Sequence, residues 1–546
     1  MEFVAPLPLN PSALFVLGMC HLVLVGLVGL SLAAASIRLR LGFLEERATD
    51  TIFFCAAVVA LAFGDARPAG FIAILRFVMV ALVNYTRRAE GARAMQWLLA
   101  RPALTLVLSF LALILVGAVL LASPPARVSH EVDTSMASLF TATSAVCITG
   151  LTIVDVGTYY TRFGQWVVMA LIQLGGLGVI TLTGAMAVVM RRRLSMRAQG
   201  VVQEATDAET QEELRAALLG GVGITLVIEL AGGLSLYASL THDASGLPMA
   251  PPERVFYAAF HAISAYCNAG FALYPDSLVR FAEHLPVNAT VTALIFLGGI
   301  GFSVLLELLT GRWLAHGPRL AWTFLSVHTK IALLSSAVLL VFGTGLFVAA
   351  EWSGVMANQP LWKIGVVSFF QSVSLRTAGF NTVDLSLLSP ASLLLVMSLM
   401  FVGGSPGGTA GGVKTTTVAI IALAVRTMMR GRSDVEVFGR SIPPKQVYRA
   451  VAVVTLAGAL VVVSIVLLVA MEPDAPFVPL AFEAVSAFAT TGASVITTST
   501  LKPTTQLVLC ILMFVGRTGP FTLALALGRE RDKVDYSYPQ AKVLVG

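Results

Sequence analysis

Four short turns, each ending in glycine and each followed by a long apolar run, recur along this chain. They read Cys147-Ile148-Thr149-Gly150, Cys267-Asn268-Ala269-Gly270, Arg376-Thr377-Ala378-Gly379 and Ala489-Thr490-Thr491-Gly492. Their glycines stand roughly 110–120 residues apart, the sign of an internally duplicated architecture and too long a period for a solenoid. The approaches to the turns, Thr134–Val146, Pro252–Tyr266, Leu361–Leu375 and Val478–Phe488, are each too short for a bilayer crossing, which takes about 20 residues. Backbone that leaves the helix at membrane depth survives only where protein buries it or where it lines a cavity. A half-crossing helix aims its C-terminal carbonyls, the negative end of its dipole, at the bilayer centre. Glycine then allows the φ/ψ values that point successive carbonyls at one axis, where they replace the hydration shell of an alkali cation. Four such turns around an axis are the plan of an ion selectivity filter.

The membrane setting follows from composition: 57% of residues are hydrophobic and 12% charged, against about 25% charged in soluble domains. Apolar runs at 103–122, 164–190, 214–240, 288–310, 328–350, 391–426, 449–470 and 505–527 predict eight spans. A further span is predicted at 12–36, and 51–84 is broken by Asp65, Arg67 and Pro68. Met1-Glu2, without a basic region or a clear cleavage site, predicts no signal peptide. The expected division is extra transmembrane helices over 1–100, four repeats at 101–198, 199–318, 319–440 and 441–546, and a cytoplasmic tail closing the last. The five cysteines lack metal-ligand spacing and predict neither a disulfide framework nor redox chemistry.

The formal charge of +6 reflects loop bias rather than nucleic-acid binding. Arg87, Arg88, Arg93, Arg101, Arg191, Arg192, Arg193 and Arg197 fall on one side if each repeat crosses twice. So do Arg426, Arg430, Arg432, Arg440, Lys445, Arg449, Arg529, Arg531 and Lys533. The opposite loops carry acids such as Asp155, Asp243, Asp276, Asp384 and Glu472. Basic loops face the cytoplasm, so the glycine turns open outward, beneath an acidic vestibule that concentrates cations.

Motifs around these turns resemble the Trk/Ktr/HKT superfamily of potassium transporters, from about Arg101 to the end. The carriers are Thr143-Ser144-Ala145-Val146-Cys147-Ile148-Thr149-Gly150-Leu151, His261–Phe271, Arg376-Thr377-Ala378-Gly379-Phe380-Asn381-Thr382 and Val515-Gly516-Arg517-Thr518-Gly519-Pro520. The resemblance implies an all-α integral membrane protein in which four M1–P–M2 repeats form one pore in a pseudo-fourfold arrangement like a potassium channel. It maps the filter glycines to Gly150, Gly270, Gly379 and Gly492. A serine in the first position accompanies sodium transport in the plant branch. Here all four positions are glycine, so the resemblance implies K+, held at Ile148, Thr149, Asn268, Ala269, Thr377, Ala378, Thr490 and Thr491. It also implies a multi-pass location in a bacterial inner membrane and a homodimer. A cytoplasmic ring of nucleotide-binding regulatory subunits of RCK/KTN type is implied as well, and any nucleotide would belong to that partner; no cofactor is expected in this chain.

The third repeat departs from the other three. Its second span contains Gly403, Gly404, Ser405, Pro406, Gly407, Gly408, Thr409, Gly411, Gly412 and Lys414. Each helical glycine costs roughly 1 kcal/mol and proline about 3, so the stretch 403–417 is predicted to be an intramembrane loop lining water or a cavity. It lacks the glycine directly before lysine that a phosphate-binding loop needs, because Val413 stands there. Arg517 is expected in the middle of the last span, at a position held by Gly176, Gly299 and Gly404 in the other repeats. A buried cation there costs at least ~2.5 kcal/mol and faces an interior or a wet path. The resemblance implies that loop and arginine form a gating constriction; the structural alternative pairs Arg517 with Glu307 or Glu229. His261 is expected to be a hydrogen-bonding strut, and Arg376 to brace its turn from behind on an acid such as Glu483.

Together these features predict the membrane subunit of a potassium uptake system. The alternative is a K+ symporter coupled to H+ or Na+, which needs a second ion site or a titratable residue on the path. No acid–base or nucleophile–base constellation suggests an enzyme.

Overall fold

The computed structural model describes residues 102–128, 134–189, 211–243, 245–310, 322–520 and 522–523. The expected spans at 12–36 and 51–84, the basic residues at 87–101, 191–197 and 529–533, and Cys20 and Cys55 lie outside the described residues. Along the described chain run α1 (Pro102–Ala122), a short α2 (Thr134–Val146) and α3 (Arg162–Val189). Next come α4 (Gln211–Ser239), a short α5 (Pro251–Tyr266), α6 (Leu285–Gly299) and α7 (Phe302–Thr310). They are followed by α8 (Val327–Glu351), a short α9 (Leu361–Ser374), α10 (Pro390–Phe401) and α11 (Thr415–Met429). The last are α12 (Pro444–Met471), a short α13 (Phe477–Ala489) and α14 (Pro503–Thr518).

Four of the described helices are long and apolar enough to cross a membrane, or five if the bent pair α6–α7 counts as one. Burial sorts them. On α12, Val462, Val463 and Val466 are exposed, whereas Leu480 through Ala489 of α13 are buried without interruption. An outer face of bare valine and leucine is a fault in water and the expected surface in lipid. At 13–16 residues, α2, α5, α9 and α13 rise roughly 20–24 Å and stop short of a ~30 Å hydrocarbon core.

The helices close into a ring. Each second helix packs on the short helix of the following unit: α3 on α5, α6 on α9, α10 on α13, and α14 back on α2. Within three units the contact is backbone to backbone. A Cβ on Gly175, Gly298 or Gly516 would run into the carbonyl of Val146, Tyr266 or Phe488, at the end of that unit's own short helix. These three glycines, which follow their turns by 24–28 residues, are therefore packing positions. Gly403 differs, because its Cβ would meet Gly411 of its own loop.

Three expected spans are corrected. The run 288–310 is two helices bent by 103°. The break falls at Gly301 (φ +97°), where Phe302 N–H donates to Gly407 of the glycine-rich loop at 3.2 Å. The loop within 391–426 ends at Lys414 rather than Thr417, since Thr415, Thr416 and Thr417 form the first turn of α11. The run 505–527 is interrupted rather than continuous: α14 ends at Thr518, Gly519 (φ +82°) breaks it, and helical backbone resumes at Pro520, with Leu523 N–H donating to the Gly519 carbonyl at 3.0 Å. Arg517 thus sits in the last turn of α14, next to this break.

Two acids at helix ends fasten the next inner helix. Glu351 accepts from Ser389 N–H at 2.8 Å, before α10. Glu472 accepts from Lys502 N–H and Thr505 Oγ1, both at 2.7 Å, before α14. Glu472→Ala strands both donors and removes a charge-assisted cap, a loss of about 2–3 kcal/mol. The expected outcome is a lower midpoint of thermal unfolding in detergent; an unchanged midpoint refutes the cap.

Candidate functional site

The four turns meet. Gly150, Gly270, Gly379 and Gly492 have φ of +89°, +70°, +75° and +81°. A Cβ on each would strike a carbonyl of the following unit: Ala269 from Gly150, Ala378 from Gly270, Thr491 from Gly379, and Thr149 from Gly492. The chain of neighbours runs once around and closes on itself. It brings the carbonyls of Thr149, Ala269, Ala378 and Thr491 against four glycines, with Ile148, Asn268, Thr377 and Thr490 one residue back toward the short helices. Ile148, Asn268 and Thr490 are themselves left-handed, at φ 51°, 57° and 51°. Cys147 and Cys267 continue the short helices, their N–H groups donating to Thr143 and Ile263, and Ala489 is the last residue of α13.

The third turn is built differently. Thr377, Ala378 and Gly379 all direct their N–H groups at the Ser374 carbonyl, at 3.1, 2.7 and 3.1 Å. Ser374 lies one residue closer to its glycine than Ser144, Ser264 and Ser486 do to theirs, so this turn closes without a left-handed residue two places before its glycine.

Those four serines hold the turns in place and were not singled out as a set by the motif reading. Ser264, Ser374 and Ser486 donate from Oγ to the carbonyls of Phe271, Phe380 and Ala493, each just past a glycine, at 2.8, 2.6 and 2.6 Å. Ser144 Oγ accepts from Gly150 N–H at 3.0 Å. Each clamps its turn to the last turn of a short helix, and the recurring offset from glycine is the signal that could have revealed them. Ser264→Ala leaves the buried Phe271 carbonyl unpaired, a cost of about 1–3 kcal/mol. It is expected to lower the K+/Na+ permeability ratio several-fold while leaving the protein folded, as measured by reversal potentials in bilayers.

His261 is the expected strut: its Nδ1 lies 2.7 Å from the Tyr257 carbonyl and its Nε2 accepts from Leu273 N–H at 3.3 Å. The expected Arg376–Glu483 brace is not formed. Glu483 accepts from the Ser494 and Thr498 hydroxyls, while Arg376 is buried with its Nε unpaired. Ser494 stands two residues past Gly492, and its hydroxyl satisfies Glu483 without a counter-charge.

Between α10 and α11 the loop is pinned at both ends and at its crest. Val402 and Val413 pair in parallel, with Gly403 N–H donating to Val413 at 2.9 Å and Val413 N–H to Phe401 at 3.1 Å. Ser405 N–H donates to Gly299 at 2.9 Å, and its Oγ meets Thr415 Oγ1 at 3.0 Å. Gly404 accepts from Thr415 N–H at 3.0 Å, and Gly408 packs on the carbonyls of Gly298 and Gly299. Gly411 approaches Thr490 so closely that a Cβ would overlap its hydroxyl. Gly412 (φ +66°) makes the last bend, and Lys414 Nζ returns to the Ala410 carbonyl at 2.6 Å.

Thr409 is the crest. Its N–H donates to Gly298 at 3.1 Å, its hydroxyl to Tyr266 at 3.1 Å, and the Asn268 carboxamide meets that hydroxyl at 2.9 Å. Its carbonyl accepts from Arg517 Nη1, while Nη2 donates to Gly175 at 2.8 Å. One guanidinium thus joins the loop to the inner helix of the first unit, as donation to loop carbonyls predicts. The alternative acids are engaged elsewhere: Glu229 with Gln173 and Cys267, Glu307 with Ser326 and Thr329. Among the described residues no cluster of three metal-ligating side chains occurs.

Comparison with known proteins agrees with this architecture. Residues 70–534 match the TrkH family, described as a cation transport protein. The Ktr system potassium uptake protein B of Vibrio alginolyticus is 36% identical over 446 residues, covering 81% of this chain and 94% of the relative. The protein of the same name from Bacillus subtilis is 33% identical over 460 residues, covering 83% and 99%. The potassium/sodium uptake protein NtpJ of Enterococcus hirae is 32% identical over 451 residues, covering 82% and 97%. The crystal structure of the potassium transporter TrkH from Vibrio parahaemolyticus shares the fold at TM-score 0.61 and 17% identity, over 93% of this chain and 97% of that one. This chain is an all-α membrane protein and belongs to the TrkH family of cation transport proteins.

Proposed function

We propose that the chain is the pore-forming subunit of a potassium uptake system in a bacterial inner membrane, conducting K+ through the four turns and gated by the Gly403–Lys414 loop with Arg517. The observation that carries this reading is the closed ring, in which each turn's glycine faces the carbonyl before the next turn's glycine. Four short helices stop at that ring, so their dipoles favour a cation there. The carbonyls take the place of water around the ion, and the serine clamps keep them from collapsing or splaying. Below the ring, the loop occupies the path and the guanidinium fastens it while repelling cations.

Relatives named for potassium uptake support K+ as the cargo, and the name "Ktr system" supports a second component. Such a component would be cytoplasmic and would carry any nucleotide site; two copies of this chain would form the membrane unit. Proteoliposomes holding the purified chain, with K+ as the sole alkali cation, test the reading. The expected result is K+ uptake that Na+ cannot replace and that needs no H+ or Na+ gradient. Uptake strictly dependent on a second ion gradient would instead establish coupling. Absence of uptake by folded protein, with the cytoplasmic component present, rejects the pore.

A further inference from the structure

The loop between α10 and α11 reaches two of the four turns, and it meets both at the same position. Its crest meets the second turn: the Thr409 hydroxyl lies 3.1 Å from the Tyr266 carbonyl and 2.9 Å from the Asn268 carboxamide. Oriented to satisfy both its ends, that carboxamide also donates to the Ile295 carbonyl and accepts from Gly299 N–H, each at 3.2 Å. Gly411 meets the fourth turn, where a Cβ would overlap the Thr490 hydroxyl and crowd the Ala489 carbonyl. Asn268 and Thr490 each stand two residues before the turn glycine. Each directly precedes a ring carbonyl, that of Ala269 against Gly150 and that of Thr491 against Gly379.

Both residues are left-handed, at φ 57° and 51°. Asparagine takes that conformation readily. Threonine, branched at Cβ, does so only where its surroundings over-determine it. Thr490 is fully buried and its hydroxyl has no hydrogen-bond partner among the described residues, so packing rather than bonding holds it. Gly411 supplies part of that packing. The seated loop thus fixes the residue before a ring carbonyl on two opposite sides of the ring, by hydrogen bonds on one side and by contact on the other.

We propose that loop and ring are one thermodynamic unit: Thr409 and Gly411 hold Asn268 and Thr490 in the conformation that binds K+, so that a displacement of the loop that opens the path also loosens the ring's hold on its ion. This coupling rests on the pore reading above and goes beyond it, because a loop that only plugs the path leaves the ring unchanged. Such coupling is reciprocal: K+ in the ring favours the seated loop by the same factor by which the seated loop favours K+. Thr409 and Gly411 are then positioning residues, acting on the ion through the turns they touch.

Binding and flux are read separately on the full-length chain. K+ and Na+ are titrated by calorimetry into detergent-solubilised protein equilibrated in choline, and K+ uptake is followed in proteoliposomes. Thr409→Val removes the hydroxyl at nearly constant shape, Thr409→Ser retains it, and Gly411→Ala acts at the fourth turn. Thermal unfolding without K+ shows which variants are folded, and either Thr409→Val or Gly411→Ala decides the matter alone. The expected result is K+ binding weakened at least threefold in both, with less preference over Na+ and faster K+ uptake, and near wild-type binding in Thr409→Ser. Unchanged K+ binding with raised uptake overturns the coupling and leaves the loop a plug in an intact pore. Binding weakened as much by serine as by valine also overturns it, since the loss then does not follow the hydroxyl. A folded wild type that neither binds nor conducts K+, with the cytoplasmic component present, rejects the pore reading and the coupling with it.

Discussion

Arg517→Ala is expected to raise K+ flux through the isolated chain by one to two orders of magnitude. The guanidinium ties the loop crest, through Thr409, to Gly175 of the first unit. Charge-assisted hydrogen bonds of this kind contribute roughly 1.5–3 kcal/mol each. Losing two of them removes about 3 kcal/mol from the closed arrangement, and every 1.4 kcal/mol is a factor of ten in an equilibrium. The upper limit is set by Thr409, which keeps its bonds to Gly298, Tyr266 and Asn268 in the variant. Arg517→Lys separates the two parts of the barrier. Lysine keeps the repelling charge but cannot span two carbonyls with a planar fork, so a variant that stays closed would assign the barrier to charge and one that opens would assign it to the tie. Proteoliposome K+ uptake measures both. Equal flux in wild type and Arg517→Ala, with K+ preference retained, would remove the arginine from the gate.

What could be read from the residues alone was what local chemistry dictates. A loop with six glycines and a proline in ten positions cannot be a helix whatever surrounds it, and it is not one. Positive φ at the four turn glycines has the same local origin. The break at Gly299–Phe302 was not legible, because Leu297-Gly298-Gly299-Ile300-Gly301-Phe302 reads as a continuous apolar run. What breaks it is a loop from the next unit, more than a hundred residues away in sequence, whose Gly407 carbonyl takes Phe302 N–H. The Glu483 partner was misjudged for a related reason. Opposite charges in sequence suggest an ion pair, but a buried carboxyl is satisfied as well by hydroxyls, and Ser494 and Thr498 are nearer. The serine clamps lay between these extremes. Their offset from glycine was present in the sequence, but its meaning appears only once the short helix turns back on itself. The one-residue shortening of the third turn leaves its serine bond to the carbonyl past glycine intact, as in the second and fourth turns.

Gly270→Ala tests the ring at one of its four glycine-to-carbonyl contacts. At φ +70° an alanine carries a steric penalty of roughly 1–2 kcal/mol. Its methyl would also overlap the Ala378 carbonyl oxygen, which is backbone and cannot rotate away as a side chain would. Relief therefore requires moving either the second turn or the third, and each is clamped, by Ser264 and by Ser374. A displaced carbonyl no longer matches the hydration shell it replaces. The expected result is a fall in K+ flux of at least tenfold, with a K+/Na+ permeability ratio approaching unity in whatever current remains. Gly458→Ala is the matched control. Gly458 lies within α12 with open space around it, so its methyl costs nothing in packing and removes a helix-weakening glycine. That control should conduct as the wild type does and unfold no sooner. A Gly270→Ala protein that folds, conducts and selects normally would mean that the Ala378 carbonyl faces no permeating ion, and the pore axis would have to be sought elsewhere.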